Sequence, residues 1–204
     1  MFFDIAVWPL CERNAMSKLT ILWSACAALL FAGSGALAAS GAASSGGNLV
    51  HDGDFSAAAS PGSYATYPKG STAITGWVVT KATVDLIGTY WTAPGGLRSV
   101  DLDGTPGFGA IAQTIATTPG TTYTLSFLLS GNDECPPAIK HMRVSAAGVH
   151  ADYTVNGAGV RKNAWVRKTW TFKASARKTT LQFESKDTSG GECGPVIADI
   201  RVNA

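Results

Sequence analysis

The feature that most constrains the fold of this chain is an alternation of apolar and polar side chains with a period of two residues. Within 122–127, for example, Thr or Ser at one position alternates with an aromatic residue or Leu at the next. Because successive side chains of a β-strand point to opposite faces, this pattern predicts strands with one face in a core. The predicted core-facing residues are Val100, Leu102, Tyr123, Leu125, Phe127, Leu129, Val166, Trp170, Phe172, Leu181, Phe183, Val196, Ile200 and Val202; those predicted to face outwards include Asp101, Asp103, Trp165, Arg167, Thr169 and Thr171.

Turn signals separate these segments at the short intervals typical of all-β domains. Pro-Gly pairs stand at 61–62, 94–95, 106–107 and 119–120. No segment after residue 47 carries a helical stripe of apolar residues over three turns. About ten short strands in one domain predict an all-β fold, a β-sandwich of jelly-roll type.

The first 38 residues are typical of a segment removed during export. Lys18 follows Met16 and precedes the apolar run 19–32, and Ala36-Leu37-Ala38 has the small-x-small form that signal peptidase cuts. We therefore expect translation to start at Met16 and cleavage to follow Ala38. An uncleaved anchor helix is the alternative, because about 20 apolar residues could span a bilayer.

This interpretation divides the chain into an N-terminal extension and signal peptide (1–38), a flexible tether of Ala, Ser and Gly (39–47) and a β-sandwich domain (48–204). The protein is then expected to be secreted, to the periplasm or outside the cell. No membrane segment is expected after the signal peptide is cleaved.

Cys135 and Cys193 are the two cysteines that follow the signal-like segment, and each comes directly after a glutamate. In an oxidising compartment such a pair is most simply a disulfide. A metal site is the alternative, but it would need partners at ligand spacing, and the sequence has no CxxC or HxxxH pattern. The sequence therefore favours a Cys135–Cys193 disulfide.

Several stretches together resemble one family, the secreted proteins called domain of unknown function 642, including its bacterial choice-of-anchor C members. They are "NLVHDGDF" (48–55), "GW" (76–77), "SVDLDG" (99–104), "GAIAQTIATTPGTTYTLSFLLSGN" (109–132) and "GPVIADIRV" (194–202). The resemblance implies a galactose-binding-like β-sandwich, a shape shared with many carbohydrate-binding modules. Plant relatives are cell-wall proteins associated with polysaccharide and with pectin-modifying enzymes, whereas bacterial members have no generally assigned ligand.

Aromatic side chains are the usual platform for sugars, because the apolar face of a sugar ring stacks on a flat aromatic ring. Tyr90 and Trp91 precede the turn "TAPGG", and Trp165 lies opposite the predicted core face of its strand. Asn132 and Asp133 follow the longest predicted strand and could bind sugar hydroxyls, although both residue types are also ordinary turn formers. These five are the predicted ligand-binding residues, and edge packing is the alternative for the tryptophans.

Four further aromatic residues are placed by their surroundings in the sequence. Tyr64 and Tyr67, in "PGSYATYPKG", are weaker candidates for the wall of a cleft formed by loops. Trp77 and Trp170 are predicted to belong to the core.

Basic residues are concentrated late in the sequence: Arg161, Lys162, Arg167, Lys168, Lys173, Arg177 and Lys178. An acidic polysaccharide would suit this density of positive charge, and an ordinary solvated strand face is the simpler account. Nucleic acid is not expected as a partner, because the protein is expected to be exported and its net charge is only +2.

No cofactor is expected, although β-sandwiches of the resembled kind often hold a structural calcium ion between the first and last strands. Relatives commonly have an acidic residue where this chain has Ser56, and Asp where it has Ala198. Asp54 and Asp199 are the nearby carboxylates that could substitute as ligands.

A glycan-cleaving enzyme is a further alternative. If Cys135 pairs with Cys193, Glu134 and Glu192 come close, and two carboxyl groups within about 5–10 Å are the minimum for glycoside hydrolysis. An exposed acidic loop is the simpler account, and no G-x-S-x-G elbow is present for acyl transfer.

The sequence thus predicts a secreted, non-catalytic carbohydrate-binding protein of the cell envelope or extracellular matrix. A structural or adhesive envelope protein with protein partners is the first alternative, and a glycan-cleaving enzyme using Glu134 and Glu192 is the second.

Overall fold

The computed structural model describes residues 47–156, 159–160 and 164–204. The predicted signal segment and all of the tether except its last residue lie outside these residues, so both stay predictions. Within the described part of the chain, no helix is long and apolar enough to cross a membrane.

The described residues form eleven β-strands and one short 3-10 turn. The strands are β1 (Tyr64–Pro68), β2 (Val78–Lys81), β3 (Thr83–Ile87), β4 (Ser99–Asp101), β5 (Ala110–Ala116), β6 (Thr122–Gly131), β7 (Ile139–Ala146), β8 (Val149–Asn156), β9 (Val166–Lys173), β10 (Lys178–Ser185) and β11 (Pro195–Asn203), and the turn spans Pro94–Gly96.

Two antiparallel sheets contain all of these strands. One sheet has six strands in the order β1-β3-β4-β11-β6-β9, and the other has five in the order β2-β5-β10-β7-β8. Neighbouring strands are often distant in sequence, because the chain crosses repeatedly from one sheet to the other. The prediction of an all-β sandwich of jelly-roll type is confirmed.

Apolar side chains from both sheets form one buried cluster. Phe127 of β6 and Phe183 of β10 pack edge to face with their ring centroids 5.2 Å apart. Trp77 also packs edge to face on Phe183, with 6.1 Å between the ring centroids. Tyr123, Leu125, Phe127 and Leu129 are all buried there, as the alternation predicts, and so is Trp77. Burial of this apolar surface is the main favourable contribution to folding.

A second apolar layer covers part of the other face of the six-stranded sheet. One cluster consists of Ile87, Trp91, Val160 and Val196, and a neighbouring one of Ala93, Leu128 and Ala198; Trp165 packs against both. The prediction that Asp101 and Asp103 face solvent is therefore wrong: both are buried. The alternation assigns the face correctly, but it contains no information on whether other segments cover that face.

A bulge in β11 changes which of its side chains reach the core. The register with β6 shifts between Ala198 and Arg201, and Asp199 has a φ of 46°. Ile197 and Ile200 consequently both join the main core, whereas Val196 belongs to the second layer. The prediction that Val196 and Ile200 share one face is wrong, because an extra residue in a strand breaks the period of two.

Strand β9 departs from its predicted pattern at its beginning. Val166 was predicted to be buried and is 47% exposed, because β9 is the edge strand of its sheet. Trp170 is half-buried against the core, and Phe172 is buried in it.

Cys135 and Cys193 form a disulfide with their Cα atoms 5.8 Å apart, so the predicted pairing is confirmed. It joins the segment after β6 to the segment before β11. Since these two strands are neighbours in the six-stranded sheet, the disulfide closes one end of that pair.

Asn48 fastens the first described segment to the end of β11. Its side-chain amide donates to the carbonyl of Ile200 at 3.1 Å, and its side-chain oxygen accepts from the backbone N–H groups of Val50 and Val202. The residues that enter the domain and those that leave it therefore lie side by side.

Candidate functional site

A cleft of about 270 Å³ lies on the outer face of the six-stranded sheet, beside the disulfide. Strands β1, β3 and β4 form one side of it, and the loops around the two cysteines form the other. Its lining residues are Tyr64, Asp85, Ile87, Tyr90, Trp91, Asp101, Thr105, Asn132, Glu134, Cys135, Glu192 and Cys193.

Three aromatic side chains form a continuous wall. The ring centroids of Tyr64 and Tyr90 are 5.7 Å apart, and those of Tyr90 and Trp91 are 5.2 Å apart. Tyr64 is 49% exposed and Tyr90 39%, so both rings offer surface to a ligand. Such surface is what a sugar ring stacks on.

Trp91 contributes the buried end of this wall. It is 7% exposed, packs in the second apolar layer and donates its indole N–H to Ser99 Oγ at 3.0 Å. A shallower hollow of about 550 Å³, lined by Tyr90, Trp91, residues 92–96 and Val160, continues from the cleft along the 3-10 turn. Trp91 therefore supports the exposed rings more than it offers a stacking face of its own.

Two aspartates form the floor of the cleft. Asp85 of β3 and Asp101 of β4 are directly opposite each other in the antiparallel pair. Two like charges at directly opposed positions would destabilise a sheet, so the charge of Asp85 adds to the burial that favours the protonated form of Asp101. Departures from local rules of this kind are expected at functional sites.

Asp101 is held in place from three directions. Its carboxylate accepts hydrogen bonds from the Asn132 amide at 2.9 Å and from the backbone N–H groups of Asp103 and Gly194 at 3.0 Å. Burial raises the pKa of Asp101 to about 8, although these hydrogen bonds favour the ionised form.

Asp85 accepts a hydrogen bond from the Thr66 hydroxyl at 2.6 Å. Burial raises the pKa of Asp85, and the negative charge of Glu192 contributes to the increase. Thr66 stands opposite Asp85 in β1, so the sheet register fixes this contact.

The glutamates next to the cysteines lie at the rim. Tyr90 donates its hydroxyl to the Glu134 carboxylate, with oxygen–oxygen distances of 2.7 and 2.9 Å. Glu192 is exposed on the other side of the disulfide. The two glutamates, which the sequence suggested would be brought together, thus line one cleft.

A buried ionic cluster lies behind the floor. Lys140 is fully buried and donates to the carbonyl of Cys135 at 3.0 Å, while Asp187 accepts from the backbone N–H of His141 at 2.6 Å. Burial lowers the pKa of Lys140 and raises that of Asp103 to about 7. These groups share one low-dielectric region with Asp101.

Three of the five predicted ligand-binding residues line the cleft, and two lie elsewhere. Tyr90, Trp91 and Asn132 line the cleft, whereas Asp133 and Trp165 do not. Asn132 uses its side-chain oxygen to accept from the backbone N–H of Glu134 at 3.1 Å, so it shapes the cleft as well as lining it. A ligand role for any of these five residues stays a prediction.

Asp133 and Trp165 lie in other environments. The Asp133 carboxyl group occupies the space next to Gly159 that a Cβ atom there would need. Trp165 is half-buried against the second apolar layer. Of the two weaker tyrosine candidates, Tyr64 lines the cleft and Tyr67 packs against the main core.

The late basic residues that the structure describes do not line the cleft. Lys168 and Lys173 lie on β9, and Lys178 begins β10. Arg167 pairs with Asp199. Arg161 and Lys162 lie outside the described residues.

The calcium candidates have other partners. Asp199 pairs with both Arg167 and Arg201, whose guanidinium groups lower its pKa by hydrogen bonding against the effect of burial. Asp54 accepts from the backbone N–H and hydroxyl of Ser56. A calcium ion at Asp199 would have to displace two positive side chains, and the described residues contain no group of three or more His, Cys, Asp or Glu suited to a metal ion.

Sequence reasoning missed Asp85 and Thr105 and misplaced Asp101. A usable signal was present, because "VDL" occurs in both "TVDLIG" and "SVDLDG". Two acidic residues at matching positions of two adjacent strands suggest carboxylates side by side on one face.

The comparison with protein families identifies the chain. The model of the family described as "Protein of unknown function (DUF642)" matches residues 48–203. This chain belongs to the DUF642 family. The match covers the whole β-sandwich domain, as the resemblance predicted, and the finer choice-of-anchor C assignment stays a prediction.

Two curated relatives of this DUF642 chain come from distant organisms. Halomucin of Haloquadratum walsbyi is 31% identical over 160 residues, which are 76% of this chain and 2% of halomucin. "Protein DUF642 L-galactono-1,4-lactone-responsive gene 1" of Arabidopsis thaliana is 31% identical over 139 residues, 63% of this chain and 36% of the plant protein. The chain thus spans only part of either relative.

Solved structures resemble this chain at low sequence identity. An arabinose-bound GH51 α-L-arabinofuranosidase aligns over 80% of this chain and 27% of its own, with a TM-score of 0.54 and 12% identity. A structure described as "CBM4 structure and function" covers 76% of this chain and 98% of its own, with a TM-score of 0.46 and 15% identity. The first likeness shows the fold alone, and no conclusion rests on the second.

Proposed function

We propose that this chain binds carbohydrate through the cleft between Tyr64, Tyr90 and the disulfide. The observation that carries the proposal is the combination of an exposed tyrosine pair with a floor of buried carboxyl and amide groups. Stacking surface beside fixed polar groups is the arrangement that binds a sugar ring, which has apolar faces and a hydroxyl-bearing edge.

The polar groups of the floor are rigid, which favours binding. Asp101 and Asn132 are hydrogen-bonded to each other and to the backbone, so little side-chain entropy is lost when a ligand arrives. Sugars bind modestly even so, because their hydroxyl groups exchange hydrogen bonds with water for hydrogen bonds with protein.

The proposed role is non-catalytic. A glycosidase needs one carboxyl group to protonate the leaving oxygen and a second to act as base or nucleophile. Of the two glutamates suggested for these tasks, Glu134 accepts a hydrogen bond from Tyr90, which suits a wall-forming role. A disulfide-containing domain of this kind fits secretion to the periplasm or the outside of the cell.

The binding test is affinity electrophoresis of the purified, oxidised protein through gels that contain neutral, acidic or amine-bearing polysaccharides. We expect retardation by at least one polysaccharide. Tyr64→Ala and Tyr90→Ala should each weaken it about five- to thirty-fold, since loss of a stacking ring costs roughly 1–2 kcal/mol.

Val78→Ala is the matched control. Val78 is 41% exposed on β2 of the five-stranded sheet, outside the cleft, so this variant should bind like the unmodified protein. If the two tyrosine variants bound as well as Val78→Ala, the binding site would lie outside this cleft. Retention by no polysaccharide would refute the proposal and favour protein partners, whereas sugar release abolished by Glu134→Gln or Glu192→Gln would show an enzyme.

A further inference from the structure

A lysine occupies a core-facing position of strand β7. The buried residues of β7 alternate with exposed or half-buried ones, and they are Lys140, Met142, Val144 and Ala146. The last three belong to the main apolar core, whereas Lys140 is a cation with no exposed surface. Burial of a charge opposes folding unless partners compensate for it, and departures from the local pattern are expected at functional sites.

The ammonium group of Lys140 reaches the loop that forms one wall of the cleft. It donates a hydrogen bond to the backbone carbonyl of Cys135 at 3.0 Å. Cys135 is joined to Cys193, and both cysteines line the cleft. Since a hydrogen bond from a charged donor is stronger than one between neutral groups, it fixes the backbone beside the disulfide.

Carboxyl groups from other strands compensate for the buried charge. Asp187 follows β10, Asp101 ends β4 and Asp103 lies just after it. Burial lowers the pKa of Lys140, and the negative charges of these three groups, that of Asp187 most, oppose the decrease. Asp187 is itself fixed beside β7, because it accepts from the backbone N–H of His141 at 2.6 Å. The lysine is therefore held by carboxyl groups on one side and by the loop carbonyl on the other.

Two loops meet tightly at this point, so a displacement of one would reach the other. A Cβ atom at Gly190 would lie 2.5 Å from the carbonyl oxygen of Pro136, which follows Cys135. The backbone N–H of Asn132 donates to the carbonyl of Gly194 at 2.9 Å. The loop after β6 thus supports the loop before β11, and the two loops carry the glutamates and cysteines of the cleft.

We propose that Lys140 is a positioning residue for the carbohydrate site, which holds the loop 132–137 in the shape that forms one wall of the cleft. This inference rests on the proposed function and concerns the same site. Lys140 is not among the lining residues of the cleft, so it acts through the carbonyl of Cys135. Packing alone does not require a lysine here, because well-packed apolar residues often replace a buried ion pair without loss of stability.

Lys140→Met tests this role, because it keeps an unbranched side chain and removes the ammonium group. Amide hydrogen exchange is followed by NMR in the oxidised protein without ligand. We expect the amides of Asn132 and Glu134, which are hydrogen-bonded within the two loops, to exchange at least about ten-fold faster than in the unmodified protein. The amide of Leu125 in β6 reports global unfolding, so the increase is counted relative to it.

Lys140→Met combined with Asp187→Asn separates positioning from charge balance. Lys140→Met alone leaves carboxyl groups buried without their cation, so its urea midpoint should fall. The double variant also removes the main counter-charge, and the side-chain oxygen at position 187 can still accept from the backbone N–H of His141. We expect its midpoint to recover while the fast exchange of the loop amides remains. Should Lys140→Met not fold, the double variant carries the same comparison.

Binding is measured by affinity electrophoresis in gels that contain hydroxyethylcellulose, polygalacturonate or glycol chitosan as the neutral, acidic and amine-bearing probes. In each gel that retards the unmodified protein, we expect both variants to bind about five-fold more weakly or less, for the loss of one hydrogen bond that holds the loop. Lys81→Met is the matched control, because Lys81 also pairs with a carboxylate, that of Glu184 at 2.9 Å, but lies on β2 outside the cleft. It should bind and exchange like the unmodified protein.

The failures can be told apart. If the double variant regained both slow exchange and full binding, Lys140 would only balance charge, and the inference would be overturned. Fast exchange of the loop amides with undiminished binding would overturn it as well, because the position of the loop would not matter to the ligand. Retardation of the unmodified protein by no polysaccharide would refute the proposed function itself, and the role of Lys140 in binding with it, whatever the exchange rates are.

Discussion

Asp103 occupies an unusual position for a carboxyl group. It is completely buried, and the side chains of Ser185 and Asp187 lie close to its carboxyl group. Burial raises its pKa from 3.8 to about 7, and the charge of Asp187 adds to the increase. At mildly acidic pH this side chain is therefore protonated in the folded protein and ionised in the unfolded chain.

The stability of the fold should consequently decrease as pH rises. With a raised folded-state pKa, the contribution of Asp103 is fully present below pH 3.8 and is lost as pH rises through about 7. We expect the free energy of unfolding to fall between pH 5 and pH 8 by as much as about 3 kcal/mol from this group. Asp103→Asn, which imitates the protonated form, should reduce that difference when urea unfolding is measured at both pH values.

Asp152→Asn provides the comparison for this prediction. Asp152 is exposed, and its hydrogen bonds from Arg143 lower its pKa, so it titrates below the range from pH 5 to pH 8. Its variant should leave the pH dependence unchanged. If Asp103→Asn destabilised the protein equally at both pH values, Asp103 would have to be ionised and stabilised by Lys140.

At the scale of single residues, sequence reasoning found the aromatic part of the cleft and missed its acidic floor. Tyr90 and Trp91 stand beside a recognisable turn, so their place at a strand end could be inferred. Asp101 looked like an ordinary solvent-facing residue, because alternation distinguishes two faces and not what covers them. Covering segments such as the one with Trp165 are set by tertiary packing, which no local pattern encodes.

Among the structural elements, the two loops joined by the disulfide have the largest influence on the site. They carry Asn132, Glu134 and Glu192 as well as the cysteines, and they meet beside β6 and β11. The disulfide closes a loop with a sequence separation of 58. We therefore expect the disulfide both to stabilise the fold and to help fix the shape of the cleft.

Removing the disulfide should affect both properties. Cys135→Ser together with Cys193→Ser should lower the free energy of unfolding by about 4 kcal/mol, because a long loop regains its freedom in the unfolded chain. Binding to the retarding polysaccharide should weaken as well, since the loops lose their common anchor. Guanidinium unfolding and affinity electrophoresis measure the two effects.

A reductant supplies the control for this prediction. It should shift the unfolding midpoint of the unmodified protein and leave that of the double variant unchanged. Loss of stability with full retention of binding would show that the loops hold their shape without the bond.

Strand positions were largely predictable, and strand irregularities were not. The alternation around Phe127 and Phe183 gives the correct core faces, because these strands are regular and central. The bulge at Asp199 and the exposed Val166 at a sheet edge depend on pairing partners far away in the sequence. A local pattern cannot show either.

At the scale of the whole molecule, Asn48 connects the beginning of the domain to its last strand through three hydrogen bonds. Asn48→Ala would leave the carbonyl of Ile200 and two backbone N–H groups without these partners. We expect a loss of about 1–3 kcal/mol in the free energy of unfolding, with polysaccharide binding unchanged in electrophoresis.

Thr124→Ala is the companion variant, because it removes an exposed polar side chain of β6 opposite Asn203, beside the same end of β11, without removing the three bonds of Asn48. An equal loss in both variants would assign the effect to the strand end as a whole. Loss of binding by folded Asn48→Ala would connect this end of the domain to the cleft.

The path of β11 has a consequence for how this domain can be arranged within a longer polypeptide. The strand has nine residues, with the cleft beside its start and the hydrogen bonds of Asn48 at its end. The cleft therefore lies about 25 Å from the Asn48 hydrogen bonds. The residues that lead into the domain lie beside those that leave it. The domain could therefore occur as tandem copies in one chain, or be inserted into a loop of another protein. Each copy would then present the cleft that we propose to bind carbohydrate at a distance from the connecting chain.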